Sequence, residues 1–320
     1  MSKENYRILI APLNWGLGHS TRSAGLVDRL LQGDAQLGVP PHPKIVLAGD
    51  GESGKWLHQH YPQYRYIPLP ELRLHYWRHG SQIPCLMMQA PKILRWIIRD
   101  HRALKRIVET EHFDLIISDN RFGFFTNKTR CVYMTHQLVV PVRIQPHWFE
   151  HITSACHRLF WRQYDEVWVP DYDARLTVDG ARLAGRLSTS AAHQAVGSSS
   201  SYAAQQAQPI TYIGPLSRLV KWKDVAPDKR YETVVIKSLS LLRKENGERR
   251  MENGELIISP QMGVSDEQLV AYMKGAKRIV AHSGYSTIMD LTLLGLMDKA
   301  QLTPTPGQVE QEYLKFVNRC

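Results

Sequence analysis

Seven residues near the N-terminus, Asn14-Trp-Gly-Leu-Gly-His-Ser20, have types and spacing that suit chemistry. Gly16 and Gly18 allow a tight turn and let a second group approach the backbone closely. The helical pattern over 21–32 points its unpaired amide N–H groups back at this loop and makes it an anion site. His19 stands at the lip of that site, and an imidazole titrates near neutral pH, so it is the candidate for chemistry. The plainer role for His19 is to cap the turn. The spacing is not a dinucleotide fingerprint, because no third glycine stands three residues after Gly18.

A second stretch repeats the design. Lys277-Arg-Ile-Val-Ala-His282 reads as a strand, Ser283-Gly-Tyr-Ser-Thr287 as a loop, and 288–294 as a helix. Backbone and hydroxyl donors on Ser283, Gly284, Ser286 and Thr287 gather at a helix N-terminus, which suits phosphate. Asp290, one turn further on, has the reach to accept hydrogen bonds from sugar hydroxyls. Asp119 and His136 fall near strand ends, where sites form in α/β sheets. Asp171-Tyr-Asp173 has a D-x-D pattern, but two carboxylates do not complete an oxygen shell for a cation. His58, His60, His75 and His79 cluster, with the last two at helical spacing. Zinc would need further ligands, so packed or solvated histidines are expected and no metal site is assigned.

The elements that must position these residues alternate. Apolar runs at 6–13, 44–49, 64–69, 113–119, 130–136 and 166–171 read as buried strands, with helices at 21–32, 54–60, 92–110 and 147–162. That order predicts an α/β fold with a parallel sheet and ligands at the carboxyl ends of the strands. A second set has strands at 231–236, 256–259, 277–282 and 300–303. Its helices open at Ser265, at 288 and at 309. Between the sets, 188–208 turns Ser-, Ala- and Gln-rich and reads as a flexible insertion. The repeat Lys244-Glu-Asn-Gly-Glu248, Met251-Glu-Asn-Gly-Glu255 reads as a surface insertion. The expected division is 1–170, a linker at 171–210, and 211–320.

The 320 residues carry a net charge of +10, which implies a partner of negative sign: nucleic acid, anionic lipid or a phosphorylated substrate. No charge block is long enough for a nucleic-acid tail, so nucleic acid is not expected. The four cysteines are scattered, with no C-x-x-C pair, which fits reduced thiols and a cytoplasmic setting. No signal peptide or membrane span is read. The helix at 92–110 carries Ile93, Leu94, Ile97, Ile98, Leu104, Ile107 and Val108 on a broad face and Lys92, Arg95, Arg99, Arg102 and Arg106 on another. The ordinary reading is a core helix with a solvated basic back. The functional reading is a membrane-surface patch, with Trp96 and the Leu-Met-Met stretch after Cys85 supplying apolar contact.

Ala281-His-Ser-Gly-Tyr-Ser-Thr-Ile-Met-Asp290, continuing in Pro304-Thr-Pro-Gly-Gln-Val-Glu-Gln-Glu-Tyr313, is the most specific stretch. Supporting patches lie at 14–20, 118–119, 133–136, 167–171 and 212–218. In these the chain resembles the family 28 glycosyltransferases of GT-B fold, which include the peptidoglycan N-acetylglucosaminyltransferase, and is closest to bacterial members. The resemblance implies two Rossmann-like doubly wound domains facing a cleft, the second one shortened here. It implies transfer of a hexosyl or N-acetylhexosaminyl group from a UDP-sugar to an acceptor, often lipid-linked, at the inner membrane face. UDP-sugar is a substrate; no cofactor and no metal are implied.

Carried over by residue, His19 would be the base at the acceptor hydroxyl, and Asn14, Gly16, Gly18, Asp119 and His136 would line the acceptor side. Arg218 would meet the donor diphosphate, with Ser283, Gly284, Ser286 and Thr287 continuing the cradle. Asp290, where the peptidoglycan enzyme has Glu, would take the ribose hydroxyls, and Gln308 and Gln311 the donor sugar. The chain departs from the family where Lys237-Ser-Leu-Ser-Leu-Leu-Arg243 replaces a Ser-Gly-Pro-Glu-Pro-Gln-Arg type loop, and where His282 stands for Arg. These departures support an alternative, a nucleotide-sugar-binding protein without turnover. A sugar-nucleotide epimerase of the same fold is a third reading, without the acidic residues it needs.

Overall fold

The computed structural model describes residues 5–75, 85, 87–136, 138, 157–172, 209–237, 251–252, 255–259, 263–305, 311 and 314. The chain divides into two units, Met1–Trp15 with Val27–Pro215, and Gly16–Leu26 with Leu216–Cys320.

The first unit is built on β1 (Arg7–Pro12), β2 (Lys44–Gly49), β3 (Arg65–Pro68), β4 (Leu115–Asp119), β5 (Arg130–Met134), β6 (Glu166–Val169) and β7 (Ile210–Tyr212). They form one sheet in the order β3-β2-β1-β4-β5-β6-β7, with every pair parallel. Ile8, Leu9 and Ile10 of β1 are all fully buried, as a central strand covered on both faces requires. The chain runs outward from β1 to β3 and then returns to β4 on the other side of β1. The switch point therefore lies beyond Pro12 and Asp119, which pair in register.

Among the described residues α2 (Gly51–His60) and α3 (Ala90–Thr110) belong to this unit, while α1 (Leu17–Gln32) is divided, its residues through Leu26 falling in the second unit and those from Val27 in the first. α1 starts four residues earlier than the sequence pattern indicated. Gly16 turns the chain at φ +88°, and Gly18, His19 and Ser20 stand in the first helical turns rather than in a loop. In α3 the buried stripe is Trp96, Asp100 and Leu104, while Leu94 is 55% and Ile98 44% exposed. The broad apolar face read from sequence is thus only partly a core face. Trp96 cannot serve as a surface contact, because it is buried and its Nε1 donates to Pro70 O at 2.8 Å.

The second unit carries β8 (Thr233–Ile236), β9 (Met251–Glu252), β10 (Glu255–Ile258), β11 (Arg278–His282) and β12 (Ala300–Thr303) in the order β12-β11-β8-β10-β9. All pairs are parallel except the short β9 against β10. Its further helices are α4 (Asp266–Gly275) and α5 (Tyr285–Leu293). Ser265 caps α4 as its position suggested, accepting from Gln268 N at 3.1 Å. Here the switch point lies between β8 and β11, so the residues after His282 stand where ligands bind in such sheets. β7 was not foreseen. It pairs with β6 and carries the first unit through Pro215, past the boundary expected at 211.

Candidate functional site

At the carboxyl edge of the first sheet, Asn14 is engaged by its neighbours. Ser53 N donates to its Oδ1 at 3.3 Å, and a Cβ on Gly51 (φ +57°) would fall 1.9 Å from its Nδ2. Asn14 thus ties the end of β1 to the start of α2. Asp119, the last residue of β4, and His136, two residues past β5, stand at the same edge, both buried. Beside His136 lies His157, whose Nε2 meets Tyr133 Oη at 3.0 Å. Burial, with His136 adding to it, pushes His157 down to about 4, so it is neutral at pH 7. Asp171, just past β6, is buried, its Oδ2 has no hydrogen-bond partner, and burial lifts its carboxyl to about 7. Asp173 lies outside the described residues.

The strongest polar feature of this edge was not read from the sequence. Arg121, fully buried, donates from Nε and Nη2 to Asp100 at 3.1 and 2.6 Å, and from Nη1 to Asp50 Oδ1 at 2.5 Å and to Pro12 O at 3.2 Å. One guanidinium therefore joins α3 and the ends of β1 and β2 behind the switch point. The signal was present: Asp100 is the only acidic residue between Lys92 and Val108 and sits four residues from Trp96 and from Leu104. The histidine cluster has ordinary packing roles, with His58 stacked on Tyr66 at 4.9 Å and His60 on Trp56 at 4.7 Å. His79 lies outside the described residues.

The second unit brings the other candidates together. Ser283 is buried; its N donates to Thr303 O at 3.0 Å and its Oγ to Gln311 O at 2.7 Å. Its hydroxyl therefore holds the chain after β12. Gly284 caps α5, and a Cβ there would come within 3.7 Å of Gln311 Nε2. Ser286 and Thr287 fall in the first turn of α5, and Ser286 Oγ donates to Gly18 O at 2.8 Å. Gln308 lies outside the described residues. No acidic residue stands in the first turn of α1 or of α5, so neither N-terminus is already neutralised by its own side chains.

Asp290 and Arg218 are held by each other's surroundings. Ser217 Oγ donates to Asp290 Oδ1, Arg218 Nη1 lies 3.9 Å from Asp290 Oδ2, and Arg218 Nε donates to Asp266 Oδ1 at 3.0 Å. Burial raises the Asp290 carboxyl to about 6, against the pull of Arg218 and the Ser217 hydroxyl. Ser217 and Asp266 were missed. The clue to Ser217 was Gly25 in mid-helix, whose missing Cβ lets α1 close on the Ser217 backbone: a Cβ there would fall 2.8 Å from Ser217 N. His19 Nδ1 lies 3.0 Å from Arg22 Nη2, and the Arg22 guanidinium lies over the Tyr285 ring at 5.9 Å.

No family model matches the chain, and no curated protein matches it. Among solved structures, a UDP-glucosyltransferase from Polygonum tinctorium capable of glucosylating indoxyl aligns over 98% of this chain and 82% of its own, at 13% identity and TM-score 0.53. Arabidopsis thaliana UGT89C1, complexed with UDP-L-rhamnose, aligns over 98% and 82%, at 12% identity and TM-score 0.51. A MurG from Acinetobacter baumannii covers the same shares at 9% identity and TM-score 0.42, too distant to support family 28 membership. At such identities the likeness shows the fold: α/β with two Rossmann-like units, of the GT-B type.

Proposed function

We propose that this chain transfers a hexosyl or N-acetylhexosaminyl group from a UDP-sugar to an acceptor hydroxyl. The observation that carries the reading is Asp290 with Arg218 beside it, one turn into the helix that follows the switch point of the second sheet. A carboxylate there suits ribose hydroxyls, and a guanidinium with helix N–H groups suits a diphosphate. In the reaction the acceptor oxygen attacks the anomeric carbon and the carbon–oxygen bond to the diphosphate breaks. Donors aimed at the leaving diphosphate then lower the barrier. Ser283, Gly284, Ser286, Thr287, Gln308 and Gln311 are the further donor-side residues of the proposal. His19, Gly16, Gly18, Asn14, Asp119 and His136 are those of the acceptor side. Family 28 membership belongs to the same proposal and is supported by the motif at 281–290.

The proposed acceptor is lipid-linked, and the chain works at the cytoplasmic membrane face. No helix among the described residues is long and apolar enough to cross a membrane. Met87, Met88, Leu94, Ile98 and Leu159 are exposed, and a groove of about 380 Å³ runs along Ile97, Phe122, Phe125, Leu159, Phe160 and Gln163. Arg95, Arg99 and Arg102 on the same helix are exposed as well. Apolar side chains among cations are the composition of a surface that meets anionic headgroups.

A second reading, binding without turnover, is favoured by the engagement of Arg218 with Asp266 and of the Ser283 hydroxyl with Gln311. Calorimetric titration with UDP tests the donor site. Binding that weakens about tenfold in Asp290→Ala is expected, and no heat from the unaltered protein would overturn the assignment. A set of UDP-sugars, scored by thermal stabilisation and then by transfer, separates the enzyme from the binding protein.

A further inference from the structure

We infer that the acceptor presents a sugar ring, and that Trp15 is the platform on which this ring stacks, with Tyr172 a second platform further along the same sheet edge. The inference deepens the proposed function and rests on its reading of the first unit as the acceptor side.

Among the described residues, Met87, Met88, Leu94, Ile98 and Leu159 are exposed on the surface proposed to meet the membrane. Trp15, 47% exposed, and Tyr172, 41% exposed, lie elsewhere. Trp15 stands three residues past the end of β1, and Tyr172 three past the end of β6. Both are therefore at the carboxyl edge of the parallel sheet, where ligands bind.

The backbone explains why the rings are outside the core. Trp15 N donates to Leu13 O at 3.0 Å, Leu13 N donates to Asp119 O at 2.9 Å, and Gly16 then turns the chain at φ +88°. Tyr172 N donates to Asp171 Oδ1 at 2.8 Å, and Asp171 N to Val169 O at 2.8 Å. Both main chains are thus held, while neither ring has a hydrogen bond, a ring contact or a cation–π contact among the described residues. Two aromatic faces are fixed in place with nothing stacked on them.

The interval between the rings is polar. β4 and β5 lie between β1 and β6, so the ends of β1 and β6 are three strand spacings apart, about 14 Å. Asp119 and Asn120 stand at the end of β4, His136 after β5 and Asp171 after β6. Asn120 Oδ1 and Asp171 Oδ2 are buried acceptors without a partner, where buried polar groups are ordinarily paired. A sugar answers both features. The C–H face of a pyranose packs on the negative face of an aromatic ring, and its hydroxyls donate to the acceptors. A bare hydrocarbon would leave those acceptors unpaired. An anionic headgroup would meet carboxyl groups here, not the cations of α3.

Fluorine NMR of the full chain labelled with fluorotryptophan reads Trp15 directly, its resonance identified by its loss in Trp15→Phe. The probes are methyl glycosides of glucose, galactose, mannose and N-acetylglucosamine, triacetylchitotriose, para-nitrophenol, and vesicles of phosphatidylglycerol. The expected result is a saturable shift of the Trp15 resonance by a saccharide. A shift with para-nitrophenol alone makes the ring a platform for an aromatic acceptor, and a shift with vesicles alone makes it a membrane contact. Either result, or no shift at all, overturns the inference. Saturation-transfer NMR then compares variants, which should fold because no bond of the fold involves either ring. Trp15→Ala should bind the saccharide about tenfold more weakly and Trp15→Phe within about threefold of the unaltered protein; equal affinity in all three overturns the platform. Tyr172→Ala should weaken triacetylchitotriose and spare the methyl glycosides, and no change with either overturns the part given to Tyr172. Calorimetry with UDP separates this inference from the donor-site reading. A chain that binds UDP but no saccharide keeps that reading and loses the platform, whereas a saccharide shift at Trp15 without UDP binding does the reverse.

Discussion

Ser217 and Asp290, 73 positions apart in the chain, share a hydrogen bond in which the serine hydroxyl donates to Oδ1 of the aspartate. The serine oxygen in turn accepts from Leu219 N at 3.1 Å, so the hydroxyl proton is aimed at the carboxylate. The bond favours the ionised form of Asp290, as Arg218 does, while burial opposes both and wins, leaving the group near 6. UDP affinity is therefore expected to rise as pH increases through 6, where Asp290 ionises and becomes an acceptor for ribose hydroxyls. Ser217→Ala should move that rise to higher pH. Calorimetry with UDP at several pH values checks this, and an unmoved profile in Ser217→Ala refutes the coupling.

The pair Arg121–Asp100 is buried on both sides, with side chains 0% exposed. Removing Arg121 leaves the buried carboxylates of Asp100 and Asp50 without their cation, and removing Asp100 leaves the guanidinium with Asp50 alone; breaking such a buried pair costs about 3–5 kcal/mol. Asp100→Asn and Arg121→Met should each lower stability by that order in denaturant unfolding, while the double change to apolar residues should recover part of the loss. Single variants that unfold at the denaturant concentration of the unaltered protein would contradict the role assigned to this pair.

Asp171 and His157 give opposite pH dependences to stability. The folded pKa of Asp171 is raised to about 7 from an ordinary 3.8, so its contribution is full below about 4 and is lost as pH rises through 7. His157 is lowered from 6.5 to about 4, so its contribution is present above 6.5 and is lost as pH falls toward 4. Asp171→Asn should therefore gain on the unaltered protein at pH 8, by at most about 4 kcal/mol, and keep less than half of that advantage at pH 5. Thermal melts at the two pH values decide it. An advantage that is equal at both would rule out Asp171 as the source.

The exposed apolar residues of α3 and its cations predict co-sedimentation with anionic vesicles at low salt. Changing Arg95, Arg99 and Arg102 together to Gln should reduce the bound fraction, and salt should do the same to the unaltered protein. Binding that ignores both salt and the three changes argues against an electrostatic membrane contact.

The fold was largely legible because its cues are local. β1, β2 and β12 fall where apolar runs bounded by turn residues put them, and Ser265 signals α4 by capping chemistry alone. β7 was hidden because Ile210-Thr-Tyr212 is too short to show a period, and it forms only because β6 offers an edge. The exposure of Leu94 and Ile98 was hidden for a related reason: periodicity finds an apolar face but not how much of it a neighbour covers.

The sequence by itself determined the alternation of strand and helix, two glycine-marked turns that each lead from a strand into a helix, and the positions of His19 and Asp290 on them. Those properties depend on backbone sterics and on spacing of a few residues. Only the tertiary structure decided who donates to whom: Arg22 to His19, Ser217 to Asp290, Arg121 to Asp50 and Asp100. Hydrogen-bond direction and the ionisation of a buried group depend on neighbours brought in from far along the chain.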